Sequence, residues 1–60
     1  MTGKDFKIKL IKLNITQEKF AEVIGVSTKT INNVCNATTV SLVYQWALYG
    51  YELSLNNKSN

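Results

Sequence analysis

Residues 16–34 constrain this chain more than any other stretch. They run TQEKFAEVIGVSTKTINNV. Thr16 is a good N-cap, and Gln17 and Glu18 suit a first helical turn. Phe20, Ala21 and Ile24 recur at helical spacing and give one apolar face. Gly25 stops that helix, because it lacks a Cβ and takes the left-handed conformation a C-terminal position needs. Val26 can fold back onto the core. Ser27 is a second N-cap, and the helix after it carries Ile31 and Val34 inward and Thr28, Lys29, Asn32 and Asn33 outward.

Helix, glycine turn and a capped helix with a polar outer face make the layout of a helix-turn-helix. Thr16-Gln17, Phe20-Ala21, Gly25-Val26-Ser27, Thr30-Ile31 and Asn36, at their spacing here, resemble the phage repressor/Cro (Xre-like) family of DNA-binding proteins. The resemblance covers about half the chain, with helix 1 around it. It implies a mainly α, lambda-repressor-like fold of four to five short helices, and binding to double-stranded DNA.

Sixty residues make one domain, and a chain of this size buries only about 60% of its unfolded surface. It contains one cysteine and no histidine, which rules out an internal disulfide and leaves little for a structural zinc site. Oligomerisation is the remaining aid to stability. The lone Cys35 suits a reducing compartment. It reads as a core thiol or, alternatively, as a redox sensor. No apolar run approaches the roughly 20 residues of a membrane span. The lysines of residues 1–15 are interspersed with apolar residues, unlike those of a signal peptide. The expectation is therefore a cytoplasmic protein of a bacterial or phage-infected cell.

Net charge is +3, and every basic residue is lysine. A modest positive balance favours a polyanionic partner. Arginine, the commonest bidentate reader of guanine, is missing, so guanine readout falls to Lys29 or to amide and hydroxyl groups.

Helix 1 should run from Thr2 to about Leu13, with Thr2 and Asp5 in a capping-box relation and Phe6, Leu10 and Leu13 facing inward. Lys4, Lys7, Lys9 and Lys12 lie mostly off that face. Lys7, Lys9 and Lys12 are either phosphate contacts or a solvated face. Ile8 and Ile11 are surplus apolar residues. By the resemblance, the positions of Leu10 and Cys35 often hold an ion pair; here they would meet as apolar groups. Asn14 suits a helix C-terminus, and Ile15 can staple onto Phe20.

The recognition helix should end near Val34 or Cys35, followed by a polar loop, 36–39. Thr38 or Thr39 would cap helix 4, about Val40 to Tyr49, which Gly50 would end. That helix is apolar all round, so one face must seek a partner. Trp and Tyr are enriched in interface cores; the bland alternative is a core Trp46 with exposed tyrosines. Tyr51 to Leu55 alternates apolar and polar, the strand period. By the resemblance, such an ending in some relatives pairs with the same strand of a second subunit. A fifth helix or a frayed tail are the alternatives. The expected organisation is a DNA-binding domain over 1–55, with its dimerisation segment at about 40–55, and a disordered tail, 56–60.

In a helix-turn-helix the N-terminal residues of the recognition helix touch base edges in the major groove. Thr28, Lys29, Asn32 and Asn33 are therefore the candidate base contacts, with Asn33 or Lys29 foremost for specificity: Asn pairs with adenine, Lys reaches guanine acceptors, and the Thr methyl suits thymine. Thr16, Gln17, Ser27, Thr30 and Asn36 are the candidate phosphate contacts, Gln17 and Asn36 through the resemblance. Tyr44, Trp46, Tyr49, Tyr51, Leu53 and Leu55 are the candidate dimer interface. No histidine, phosphate loop or nucleotide fingerprint is present, and Asp5, Glu18, Glu22 and Glu52 are scattered, so an enzyme, a cofactor, a metal and a small-molecule ligand are not expected. The function expected is a small dimeric repressor reading a pseudo-palindromic operator. The alternative is a protein-interaction module, an antitoxin or antirepressor, working through helix 4.

Overall fold

The computed structural model describes residues 1–57. Its elements are α1 (Gly3–Lys12), α2 (Gln17–Ile24), α3 (Thr28–Cys35) and α4 (Leu42–Asn57).

Each of the first three helices starts at a hydroxyl cap. Thr2 Oγ1 accepts from the Asp5 amide at 3.1 Å, Thr16 Oγ1 from Lys19 at 3.0 Å and Ser27 Oγ from Thr30 at 3.2 Å. Each bond satisfies a backbone donor that the helix itself leaves open. The stops follow the same local logic. Asn14 takes φ 58° after α1, and Gly25 takes φ 79° after α2. Past Gly25, the Val26 amide donates to the Ala21 carbonyl at 2.9 Å, the long bond of a glycine-terminated helix.

The core joins all four helices. Phe6, Leu10, Phe20, Ala21, Ile31, Val34, Cys35, Val40 and Leu48 are buried, with Ile15 at its edge. Phe6 and Phe20 meet edge to face at 5.7 Å, and Phe20 meets Tyr51 the same way at 6.0 Å. This chain of rings ties α1, α2 and α4 together in the geometry aromatic quadrupoles favour. Ile15 and Phe20, the expected staple, share this cluster, as do Leu10 and Cys35. Of the surplus residues on α1, both Ile8 and Ile11 are exposed.

The C-terminal third departs from expectation. Gly50 does not end a helix, and 51–55 is not a strand: α4 runs unbroken through both. Its cap is neither Thr38 nor Thr39. Ser41 supplies it, its hydroxyl facing the Val43 amide at 3.4 Å and its carbonyl accepting from Tyr44 and Gln45. The tail expected over 56–60 begins as the last turn of α4, and residues 58–60 lie outside the described residues. A helix wins over 51–55 because Leu48, Tyr51 and Leu55 also stand at i, i+3 and i+7. That register lays Tyr51 on Phe20, and it brings Glu52 within 3.1 Å of Lys9 on α1. Packing of this kind outweighs a single interior glycine, which costs about 1 kcal/mol. Among the described residues no helix is long and apolar enough to cross a membrane.

Candidate nucleic-acid interface

The buried side of α3 sets the direction of its other side. Ile31, Val34 and Cys35 are buried, and Thr30 is half-buried. At 100° per residue these four span one arc, and Thr28, Lys29, Asn32 and Asn33 fill the opposite arc of about 140°. All four are exposed. The packing of α3 on α1 and α2 therefore fixes one polar face outward as a unit.

Two side-chain bonds brace this face. Ser27 Oγ and Thr30 Oγ1 lie 2.9 Å apart at its N-terminal end. Asn36 Nδ2 donates to Asn32 Oδ1 at 3.2 Å at the other end. The second bond adds a difference between Asn32 and Asn33. A bidentate contact to adenine uses both the oxygen and the nitrogen of an amide. In Asn32 one of the oxygen's two lone pairs already accepts from Asn36. Among the described residues, none bonds to the side chains of Asn33 or Lys29, which remain open for a partner.

The flanks complete the surface. Thr16 and Ser27 are exposed caps, and Gln17 is half-buried in the first turn of α2. A helix start with open amides is a natural place for a phosphate. Lys19 stands 3.7 Å from Glu22 in an exposed pair. Lys9 bonds Glu52 and braces α1 against α4, so of the α1 lysines considered for phosphates this one has a structural partner. An open groove of about 280 Å³ runs beside α3, lined by Thr30, Asn33, Val34, Ala37, Thr39, Val40, Ser41 and Tyr44.

Behind the face, Cys35 is buried. Burial pushes its thiol above the ordinary value, and the nearby Lys7 ammonium pulls weakly the other way. Lys7 is far from Cys35 in sequence, so its influence is visible only in the fold. Among the described residues no group of three or more His, Cys, Asp or Glu side chains could hold a metal.

The family model described as Helix-turn-helix matches residues 6–44, more than half of the chain. The chain belongs to the helix-turn-helix family. It is of the Cro/C1 (Xre) type, a family of DNA-binding transcriptional regulators. No curated protein and no solved structure matches the chain at a significant level. The helix-turn-helix match ends at Tyr44, in the first turn of α4, so most of that helix lies beyond it.

The expected dimer residues divide there. Tyr44 and Tyr51 are half-buried against the chain's own core. Leu55 is half-buried. Trp46, Tyr49 and Leu53 are exposed, and so are Leu42 and Val43, which sequence reasoning left out of the interface. The signal for Leu42 was present: 42, 46, 49 and 53 advance by four, three and four, the seam of a helix pair.

Proposed function

We propose that this helix-turn-helix protein is a small dimeric transcriptional repressor that reads a pseudo-palindromic operator by laying α3 in the major groove. The observation that carries this reading is the outward arc of Thr28, Lys29, Asn32 and Asn33, opposite the side where Ile31, Val34 and Cys35 are buried. Lys29 and Asn33 are the sequence readers, Lys29 toward guanine acceptors and Asn33 toward adenine. Thr28 meets a thymine methyl. Asn32, bonded to Asn36, serves mainly to hold Asn36 toward the sugar-phosphate backbone. Thr16, Gln17, Ser27 and Thr30 grip the phosphates at the other end. One lysine on the reading helix is little charge, so the operator must be met by two copies, with half-sites about 34 Å apart.

A salt series on the duplex upstream of its gene tests the reading. Binding should weaken steeply as salt rises, with a log–log slope that counts neutralised phosphates. It should still outcompete random DNA at moderate salt. No preference over random DNA there would defeat the repressor reading. The exposed apolar side of α4 favours one other function, an antitoxin or antirepressor that binds protein through that helix. Such a protein would leave that duplex unbound at every salt concentration.

A further inference from the structure

The helix α4 has two opposed faces. At 100° per residue, Tyr44, Leu48, Tyr51 and Leu55 share one side, toward the core, and Leu42, Trp46, Tyr49 and Leu53 share the side diametrically opposite. The outer residues are all exposed, Trp46 at 72%. One flank of the outer stripe is polar, with Gln45, Glu52 and Asn56. The other carries Val43 and Gly50.

Gly50 is the telling residue. Gly3 and Gly25 each have a reason within the chain: backbone atoms crowd the first, and the second has a positive φ. Gly50 has neither, and a Cβ there would meet nothing within 4 Å. A glycine inside a helix is unfavourable, so its use is sought outside the chain, in close approach of another body.

Resting on the dimeric reading above, we infer that two copies pair through this face, with their α4 helices antiparallel about a two-fold axis at the level of Ala47 and Leu48. In that register Trp46 of each copy lies over Gly50 of the other, and Leu42 and Val43 lie opposite Leu53. On both sides of the axis the Trp46 ring faces the space left by a glycine, as dense packing requires. A parallel pair would set Trp46 against Trp46 and Gly50 against Gly50, one level crowded and the other hollow. The charge pattern argues against a strongly acidic or basic partner. Glu52 is the single charged residue of α4 and its carboxylate is held by Lys9, so the face offers nothing to an acidic or basic partner. The exposed side chains present on the order of 600 Å² per copy, at the small end of specific interfaces. The dimer therefore forms in a concentration-dependent way, and operator binding follows that concentration.

Trp46 is the only tryptophan and reports on its own burial. The experiment combines sedimentation and Trp46 emission on the full chain, from micromolar to millimolar, for wild type, Gly50→Gln and Trp46→Ala. Wild type should double in mass as its emission shifts to the blue. Gly50→Gln should keep its helical circular dichroism yet dimerise at least tenfold more weakly, as should Trp46→Ala. For direction, Leu42→Cys mixed with Leu53→Cys, both in a Cys35→Ala background, should form the mixed disulfide over either symmetric one. A wild-type dimer with unshifted emission, Gly50→Gln pairing as wild type, or a preference for symmetric disulfides would overturn the proposed face while leaving a dimeric repressor standing. A wild type that is monomeric at every concentration and binds its operator as a single copy would overturn both.

Discussion

The amide of Gly3 donates to the carbonyl of Ala37 at 2.9 Å, pinning the start of α1 to the loop that leaves the reading helix. The approach is close because Gly3 has no side chain. A Cβ there would stand 2.5 Å from the Val34 carbonyl oxygen and 2.6 Å from those of Cys35 and Ala37. Those oxygens are backbone, at the end of α3 and in the loop that follows it, so they cannot swing aside. Gly3→Ala should therefore lose about 2 kcal/mol of stability, despite alanine's better helix propensity. Urea unfolding measures it; an unchanged midpoint would mean that the two segments separate freely.

Gly50→Ala should act in the opposite direction. The site is exposed, helical and sterically open. At concentrations low enough to keep any dimer apart, the substitution should add about 0.5–1 kcal/mol. Thermal melts at low micromolar concentration would show it as a raised midpoint. Destabilisation there would place a contact at Gly50 within the single chain.

These two glycines mark where the fold was legible in the sequence. Thr2, Thr16, Ser27, Asn14 and Gly25 could be read because each cap or stop is made with residues at most a few positions away. The outward arc of α3 followed from the same local periodicity. Gly50 was misread because its local penalty is small beside the contacts of Tyr51 with Phe20 and of Glu52 with Lys9, which join distant parts of the chain. Tyr51, Leu53 and Leu55 alternate like a strand, but five residues cannot separate that period from a helical one. The crowding at Gly3 comes from the backbone of residues 34–37, and nothing beside it in the sequence signals that approach. Within the site, Asn33 and Lys29 were already foremost in the sequence, and the bond from Asn36 to Asn32 is a further difference that only the folded helix end shows.

The Lys9–Glu52 pair should contribute modestly. Both side chains are about one-third exposed, at 37% and 33%, so solvent screens them and a coupling of about 0.2–1 kcal/mol is expected. A double-mutant cycle with Lys9→Met and Glu52→Gln gives the figure, and added salt should shrink it. Zero coupling at low salt would remove the pair from the account of why α4 continues past Gly50.

The raised pKa of Cys35 has a pH signature. Burial disfavours the thiolate in the fold, while the unfolded chain ionises near the ordinary value of 9.0. The neutral thiol's contribution is thus complete below that value and is lost as pH rises past it toward the folded value. The stability advantage of wild type over Cys35→Ala should be constant at neutral pH and narrow above about pH 9. An advantage that widened with pH would mean that the fold holds a thiolate, with Lys7 outweighing burial.

The central claim is that one face of α3 reads sequence, Lys29 and Asn33 foremost. Selection of bound duplexes from a random pool tests it most directly, with wild type, Lys29→Ala and Asn33→Ala run side by side. Wild type should enrich an inverted repeat with half-sites about one helical turn apart. Each variant should relax the preference at its own base position in both half-sites, at a cost of about 1–3 kcal/mol in discrimination. Enrichment of no motif by wild type, or an unchanged motif in both variants, would contradict the account.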